Sequence, residues 1–542
     1  MISVTIANSV TSIGNAAFRD CIHLASVTIP NSITSIKDYM FNGCYNMTSV
    51  VIPESITYIG KGAFGDCNRL ASLTIPKNVT IIGDGAFSNC YRLNSIQVDN
   101  ENPIYDSRNN CNALIETASN TLILGCDNSF IPNGITTIGD NAFTLCKNLS
   151  TISIPNSVEK IGNGAFMQCE NLTSIIIPSK VTSIGDYSFW NCEKLSSVSL
   201  NESLTSIGVY AFGSCYNLKS IIIPNNVTSI GWSAFRYCTS LSSITLSNKM
   251  TKIEDGLFEG CENLKTVVIP NSITYIGLGA FIYCGFSTIT LPNSLREIDN
   301  FAFSGCLNLT SLMIPNSVTT INMFAFSGCS NLISINLPDG LETIEVGLFE
   351  NCSNLKKIII PNSVTKIKSV DDYSIRKGAF SGCTSLEQVI LSNNLSFIDE
   401  ETFKDCTSLL SITIPESVTF IGNRAFENCN SLIKVSSIIK APISISSDAF
   451  PNRTNATLYV PIGCKNAYES AEYWNEFNIC ELMGDVNSDG AVDAQDASLV
   501  MQHVAGKVTI DDTMPADVNS DGQIDAQDAS LIMQFVAGKI TW

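Results

Sequence analysis

From residue 1 to residue 433 the apolar side chains return at fixed places in a 23-residue unit, on the template IPxSVTxIGxxAFxxCxxLxSI. Seventeen cysteines mark the unit, from Cys21 to Cys429, and each stands three residues after a phenylalanine, from Phe18 to Phe426. Within one unit Ile154, Val158, Ile161, Phe166, Cys169, Leu172 and Ile175 must all point inward. A single coil cannot cover that many apolar side chains, so it needs neighbouring coils as lids. The alternation from Ser150 to Pro155 suits one short parallel strand per coil, ended by a proline that has no N–H to give to the ladder. Each buried Ile, Leu or Phe adds about 1.5–3 kcal/mol, which accounts for the apolar columns without any catalytic role. The pattern therefore predicts a repeat solenoid.

Three departures break the period. Cys90 and Cys146 are 56 residues apart, and the excess, at about 99–131, reads as a hairpin turning near Ala118 and Ser119 and protruding from the coils. Such a hairpin would set Cys111 opposite Cys126, where a bridge can form. Cys352 and Cys383 are 31 apart, so residues 369–376 should bulge from one loop face; Cys284 and Cys306 are 22 apart, a one-residue adjustment near Gly285. The chain opens inside a coil, which suggests a trimmed N-terminus, and carries no signal peptide. Residues 434–482 read as a terminal coil and cap.

The repeat resembles the BspA-like class of bacterial leucine-rich repeat over residues 1–433. That resemblance implies a secreted or surface-bound binding solenoid, often adhesive, whose ligands differ among members. Stacked in register, the repeat cysteines would be spaced too widely for bridges and would serve as a buried thiol column. Fifty acidic against 31 basic side chains give a net charge of −19, which disfavours nucleic acid and anionic membranes as partners. No apolar run is long enough for a membrane helix. The two histidines, His23 and His503, leave little material for Ser-His-Asp or Cys-His chemistry.

Residues 483–542 differ in kind, with ten Asp against two Lys. DVNSDGAVDAQD at 485–496 and DVNSDGQIDAQD at 517–528 both read as twelve-residue calcium loops, with alternate residues converging around a turn at Gly490 or Gly522. The expected side-chain ligands are Asp485, Asn487, Asp489, Asp493 and Asp496, then Asp517, Asn519, Asp521, Asp525 and Asp528. The carbonyls of Ala491 and Gln523 complete two Ca2+ sites. Each loop ends on Asp instead of the Glu usual in EF-hands and runs into an amphipathic helix; residues 485–507 and 517–539 agree at nineteen of twenty-three positions. This duplicated unit resembles a type I-like dockerin, a small all-α calcium-binding module. The resemblance implies calcium-dependent docking to a cohesin module of a scaffoldin in a cellulosome. Its recognition positions fall on Ala494, Gln495, Met501 and Gln502, and on Ala526, Gln527, Met533 and Gln534. Both sets are identical, so either helix can face a cohesin. Alternatively, Met501 and Met533 fill the core between the helices, as Leu499, Val500 and Val504 are expected to do.

Tyr187, Trp190, Tyr210, Tyr216, Trp232 and Tyr237 gather on three neighbouring coils, where flat rings can stack on sugars or simply cover gaps between coils. The reading that follows is a secreted, non-catalytic binding or adhesion protein, monomeric before docking. It would hold a polysaccharide or protein ligand in the context of plant polysaccharide degradation. The alternative is a carbohydrate-active hydrolase whose catalytic module is missing or unrecognised, since a carboxylate pair needs no histidine.

Overall fold

The computed structural model describes residues 2–368, 378–487, 489–510, 515–519 and 523–540. The excess at 369–376, Asp521 and Gly522 lie outside them. Two compact units divide the chain, Met1–Ile273 and Thr274–Trp542.

In the first unit the coils stack as a parallel β-solenoid. The expected ladder is present: Ser174–Ile176 pairs in register with Ser197–Ser199, and Ser220–Ile222 with Ser243–Thr245, which pairs in turn with Thr266–Val268. A second ladder accompanies it, of two-residue strands such as Ser183–Ile184, Ser206–Ile207 and Ser229–Ile230. It forms because the isoleucine before each glycine points inward and the residue before that points out. Inside, phenylalanine rings stack coil on coil, Phe166 on Phe189 and Phe189 on Phe212, both at 5.3 Å between centroids. The cysteines point the same way, and in most coils the thiol donates to the carbonyl of a phenylalanine one coil back, as Cys192 Sγ does to Phe166 O at 3.2 Å. All are free thiols, and every repeat cysteine but Cys21 is buried.

The excess between Cys90 and Cys146 does not protrude. Leu114–Glu116 and Thr121–Leu124 do form the expected antiparallel pair, but Thr121–Leu124 also pairs in parallel with Thr137–Ile138 and so continues the second ladder. Burial explains the difference: Leu114, Ile115 and Leu122 are fully covered, and a projecting hairpin would leave them in water. Cys111 and Cys126 are both buried and unbridged. Cys126 Sγ instead receives the Asn112 side-chain amide at 3.1 Å. In the coil after this segment the strand expected at Ser150 to Pro155 has no regular pairing.

The second unit repeats the same construction. Its longest ladder runs from Lys357–Ile359 through Gln388–Ile390, Ser411–Ile414, Lys434–Ser437 and Thr457–Val460 to Asn478–Glu481. The missing residue near Gly285 is made up by a larger side chain: Phe286, fully buried, packs edge-on against Phe281 and Phe303. Phe450 extends the ring column beyond Phe426. Helix α1 (Lys465–Glu469) and the segment after it close this end with Tyr468 and Trp474, both fully buried. The Tyr468 hydroxyl donates to Ile439 O and the Trp474 indole to Ile443 O, each at 2.7 Å. Helices α2 (Ala494–Val504) and α3 (Ala526–Val536) then pack on each other through Ala497, Val500, Ala529 and Ile532.

Candidate functional site

Each of α2 and α3 begins in a reciprocal cap. Asp493 accepts from the Gln495 N–H at 2.6 Å while Asp496 accepts from the Asp493 N–H, and Asp525 and Asp528 repeat this on α3. The carboxylates expected to bind metal therefore also start the helices. Asp496 reaches back as well, accepting from Val486 and Asn487 N–H at 2.8 and 3.1 Å, and so ties the loop's first turn to the helix. Asp528 holds Val518 and Asn519 in the same manner. Gly490 turns the first loop at φ +83, and a Cβ there would press on Thr413 and Ile438, so glycine is required on two counts.

Asp485 is 5% exposed, with its two oxygens on the Asp489 and Gly490 N–H groups. Burial, reinforced by the neighbouring Asp496 and Asp489 charges, pushes its carboxyl up to about 7. Burial raises Asp496 too. Crowded carboxylates, an amide oxygen on Asn487 and a tight glycine turn are the donor set of a hard divalent cation. Among the described residues no three such groups gather closely enough to hold an ion; backbone amides take up the carboxylate oxygens instead.

The expected recognition positions lie on the surface. Ala494, Gln495, Met501 and Gln502 are exposed, as are Ala526, Gln527 and Met533, while Gln534 is half-buried. Met501 and Met533, 47% and 45% exposed, do not fill the core. Nor do Val504 and Val536, contrary to expectation, because two short helices have only one face each to bury, taken by Val500 and Ile532. Leu499 and Leu531 are half-buried. A shallow depression joins Asn487, Ala494, Gln495 and Gln502 to Ser498 and Leu499, neither of which stands among the expected recognition positions. His503 is structural: its Nδ1 accepts from Ile510 N–H at 3.1 Å.

In the first unit Tyr187 stacks on Tyr210 at 5.3 Å, and Trp232 meets Tyr210 edge-on at 4.8 Å. Arg236 bonds the hydroxyls of Tyr210 and Tyr237 and pairs with Glu259. Trp190 lies over Gly213. Among the described residues no ring contact joins Tyr216 to this group. The rings thus both cover neighbouring backbone and present a surface. The sequence reading also missed an aliphatic row on the first ladder: Ile176, Ile222 and Val268 are 71–76% exposed, with Ser199 and Thr245 at the matching positions of the coils between them. The period-two alternation of these strands was the available signal.

The profile of the BspA type leucine rich repeat region matches residues 1–113, 136–265, 251–370 and 372–479. The chain belongs to the BspA-type leucine-rich-repeat proteins. A dockerin type I domain matches residues 483–537, which makes the α2–α3 pair a type I dockerin; such domains generally bind calcium, and they imply a cohesin partner. Among solved structures, a leucine-rich repeat protein from Bacteroides ovatus is 32% identical, covering 64% of this chain and 87% of that one, with a TM-score of 0.54. A leucine rich cell surface protein from Faecalibacterium prausnitzii is 25% identical over 83% of this chain and 89% of that one, with a TM-score of 0.36. No curated protein matches. BspA-type and dockerin-bearing proteins are typically extracellular or at the cell surface. Among the described residues no helix is long and apolar enough to cross a membrane.

Proposed function

We propose that this BspA-type protein is a secreted, non-catalytic binding component of a cellulosome. Its dockerin docks it to a scaffoldin cohesin, and its coils hold an extracellular ligand in the course of plant polysaccharide degradation. The observation that carries this reading is the matched pair α2 and α3, each with an exposed methionine and valine at one end and an acidic loop at the other. Two Ca2+ ions would be held by Asp485, Asn487, Asp489, Asp493, Asp496 and the Ala491 carbonyl, and by Asp517, Asn519, Asp521, Asp525, Asp528 and the Gln523 carbonyl. Bound calcium would neutralise carboxylates that otherwise repel one another, and so order both loops.

For the coils, the Tyr187–Tyr210–Trp232 group favours a polysaccharide ligand. The exposed row of Ile176, Ile222 and Val268 favours a protein, since aliphatic side chains gain most from a partner that excludes water. Depletion of the full chain by washed plant polysaccharides separates the two. Retention that is lost in a folded Tyr187→Ala/Trp232→Ala variant supports glycan binding; no retention moves the search to proteins. Release of reducing ends from the same mixtures by the purified chain would instead support the hydrolase alternative.

A further inference from the structure

The ring column of the first unit has one missing member. Phe64 stacks on Phe87 at 5.5 Å and Phe143 on Phe166 at 5.1 Å, but the coil between Phe87 and Phe143 carries Gly125 in the phenylalanine place. The backbone identifies that place. Gly125 N–H donates to Ala142 O at 2.7 Å, as Phe143 N–H does to Ala165 O and Phe64 N–H to Ala86 O. The Cys146 thiol is turned to Gly125 O, as that of Cys169 is to Phe143 O. Phe143 packs directly over Gly125, so a side chain could not be added there without moving that ring.

What remains is an open pocket of about 190 Å³, lined by Phe87, Leu93, Leu124, Gly125, Cys146 and Met167, with Tyr91 at its edge. The column is less tightly covered here than in the coil before it. Phe87 and Cys90 are 4% and 7% exposed, against 0% for Phe64 and Cys67 one coil back. A cavity of about 150 Å³ lined by aliphatic and aromatic side chains suffices to hold benzene, so this one has room for a single substituted ring.

Chemistry narrows the occupant. The polar rim, which Ser88, Asn89 and Thr144 share, includes two acceptors: the Asp127 carboxylate, fixed by the Asn148 backbone and side-chain N–H groups, and the Asn141 side-chain oxygen. A carboxylate at the mouth of a chain with net charge −19 repels anions. A sugar would leave its hydroxyls unpaired against the apolar floor. The thiols do not invite covalent capture, because burial holds Cys146 far above the usual thiol range and leaves it protonated.

We propose that this pocket is a binding site for a small, neutral, single-ring phenol, whose ring lies against Phe87 beside the place of the missing phenylalanine and whose hydroxyl donates to the Asp127–Asn141 rim. This site is separate from the dockerin and from the Tyr187–Trp232 surface.

The test is calorimetric titration of the full chain with p-cresol, beside benzoate as an anionic ring of similar size. Saturable p-cresol binding at one site per chain, at least about tenfold tighter than benzoate, is expected. Leu124→Phe, which fills the pocket, should abolish it while the melting temperature holds. Asp127→Asn, which removes the charge together with one of the two oxygens that accept from Asn148, should let benzoate bind and so gives an independent reading if Leu124→Phe folds poorly. Failure of p-cresol to bind the unaltered chain would overturn the proposal. So would p-cresol binding that persists in a folded Leu124→Phe variant, or a benzoate response that Asp127→Asn leaves unchanged.

Discussion

Phe212 shows how one residue serves the repeat. It is fully buried, stacked on Phe189 and Phe235, and its carbonyl receives the Cys238 thiol. Phe212→Ala should cost about 3–5 kcal/mol, seen as a lower denaturant midpoint, with the loss starting in the adjacent coils because each coil contacts only its neighbours. The thiols give a pH signature. Burial pushes Cys192, Cys238 and Cys383 up to about 12, from 9.0 when exposed. An unfolded chain therefore ionises first, so stability holds below pH 9.0 and falls as the pH climbs from there toward 12. Melting temperatures across that window should drop with pH, and a flat profile would contradict the buried thiol column. The inward columns were legible in the sequence because seventeen copies agree at Phe and Cys. Gly125 was not, since the coil that carries it has lost the very residues that mark a coil. Ile222 was not either, because between Ile221 and Ile223 it reads as one apolar run until the alternation of the strand is imposed.

At the scale of elements, α2 and α3 tell how far a motif reaches. Their loops and their likeness to each other were legible from twelve-residue spacing and a shared DAQDASL; their start points were not, since the caps at Asp493 and Asp525 begin each helix inside the loop motif, at Ala494 and Ala526. Which apolar side chains face inward was not, because two eleven-residue helices bury a single stripe each, and periodicity alone assigns Val504 and Val536 to it. Their exposure beside Met501 and Met533 yields a prediction. If either helix can receive a cohesin, Met501→Asp or Met533→Asp alone should leave affinity within about twofold, whereas the two together should weaken it by more than about thirtyfold. Titration of the three variants with one cohesin checks this; a single substitution that abolishes binding would assign the contact to one helix. Gly490→Ala, pressing on Thr413 in a backbone conformation that disfavours a side chain, should loosen the first loop and lower the calcium affinity of the chain.

For the molecule as a whole, the sequence already separated a repeat region from an acidic C-terminal module, because 23-residue periodicity stops where aspartate becomes dense. The segment between Cys90 and Cys146 was misjudged as a projection for a physical reason. An antiparallel pair looks the same in sequence whether it stands free or joins a ladder, and only the burial of Leu114, Ile115 and Leu122 decides. The account rests most heavily on attachment through the C-terminal module, with calcium as its condition. Titration calorimetry of the full chain against a panel of type I cohesin modules tests that directly, in calcium and again in excess chelator. The account predicts tight one-to-one binding of at least one cohesin in calcium and none in chelator. Binding that survives chelation, or no binding by any cohesin in calcium, would contradict it.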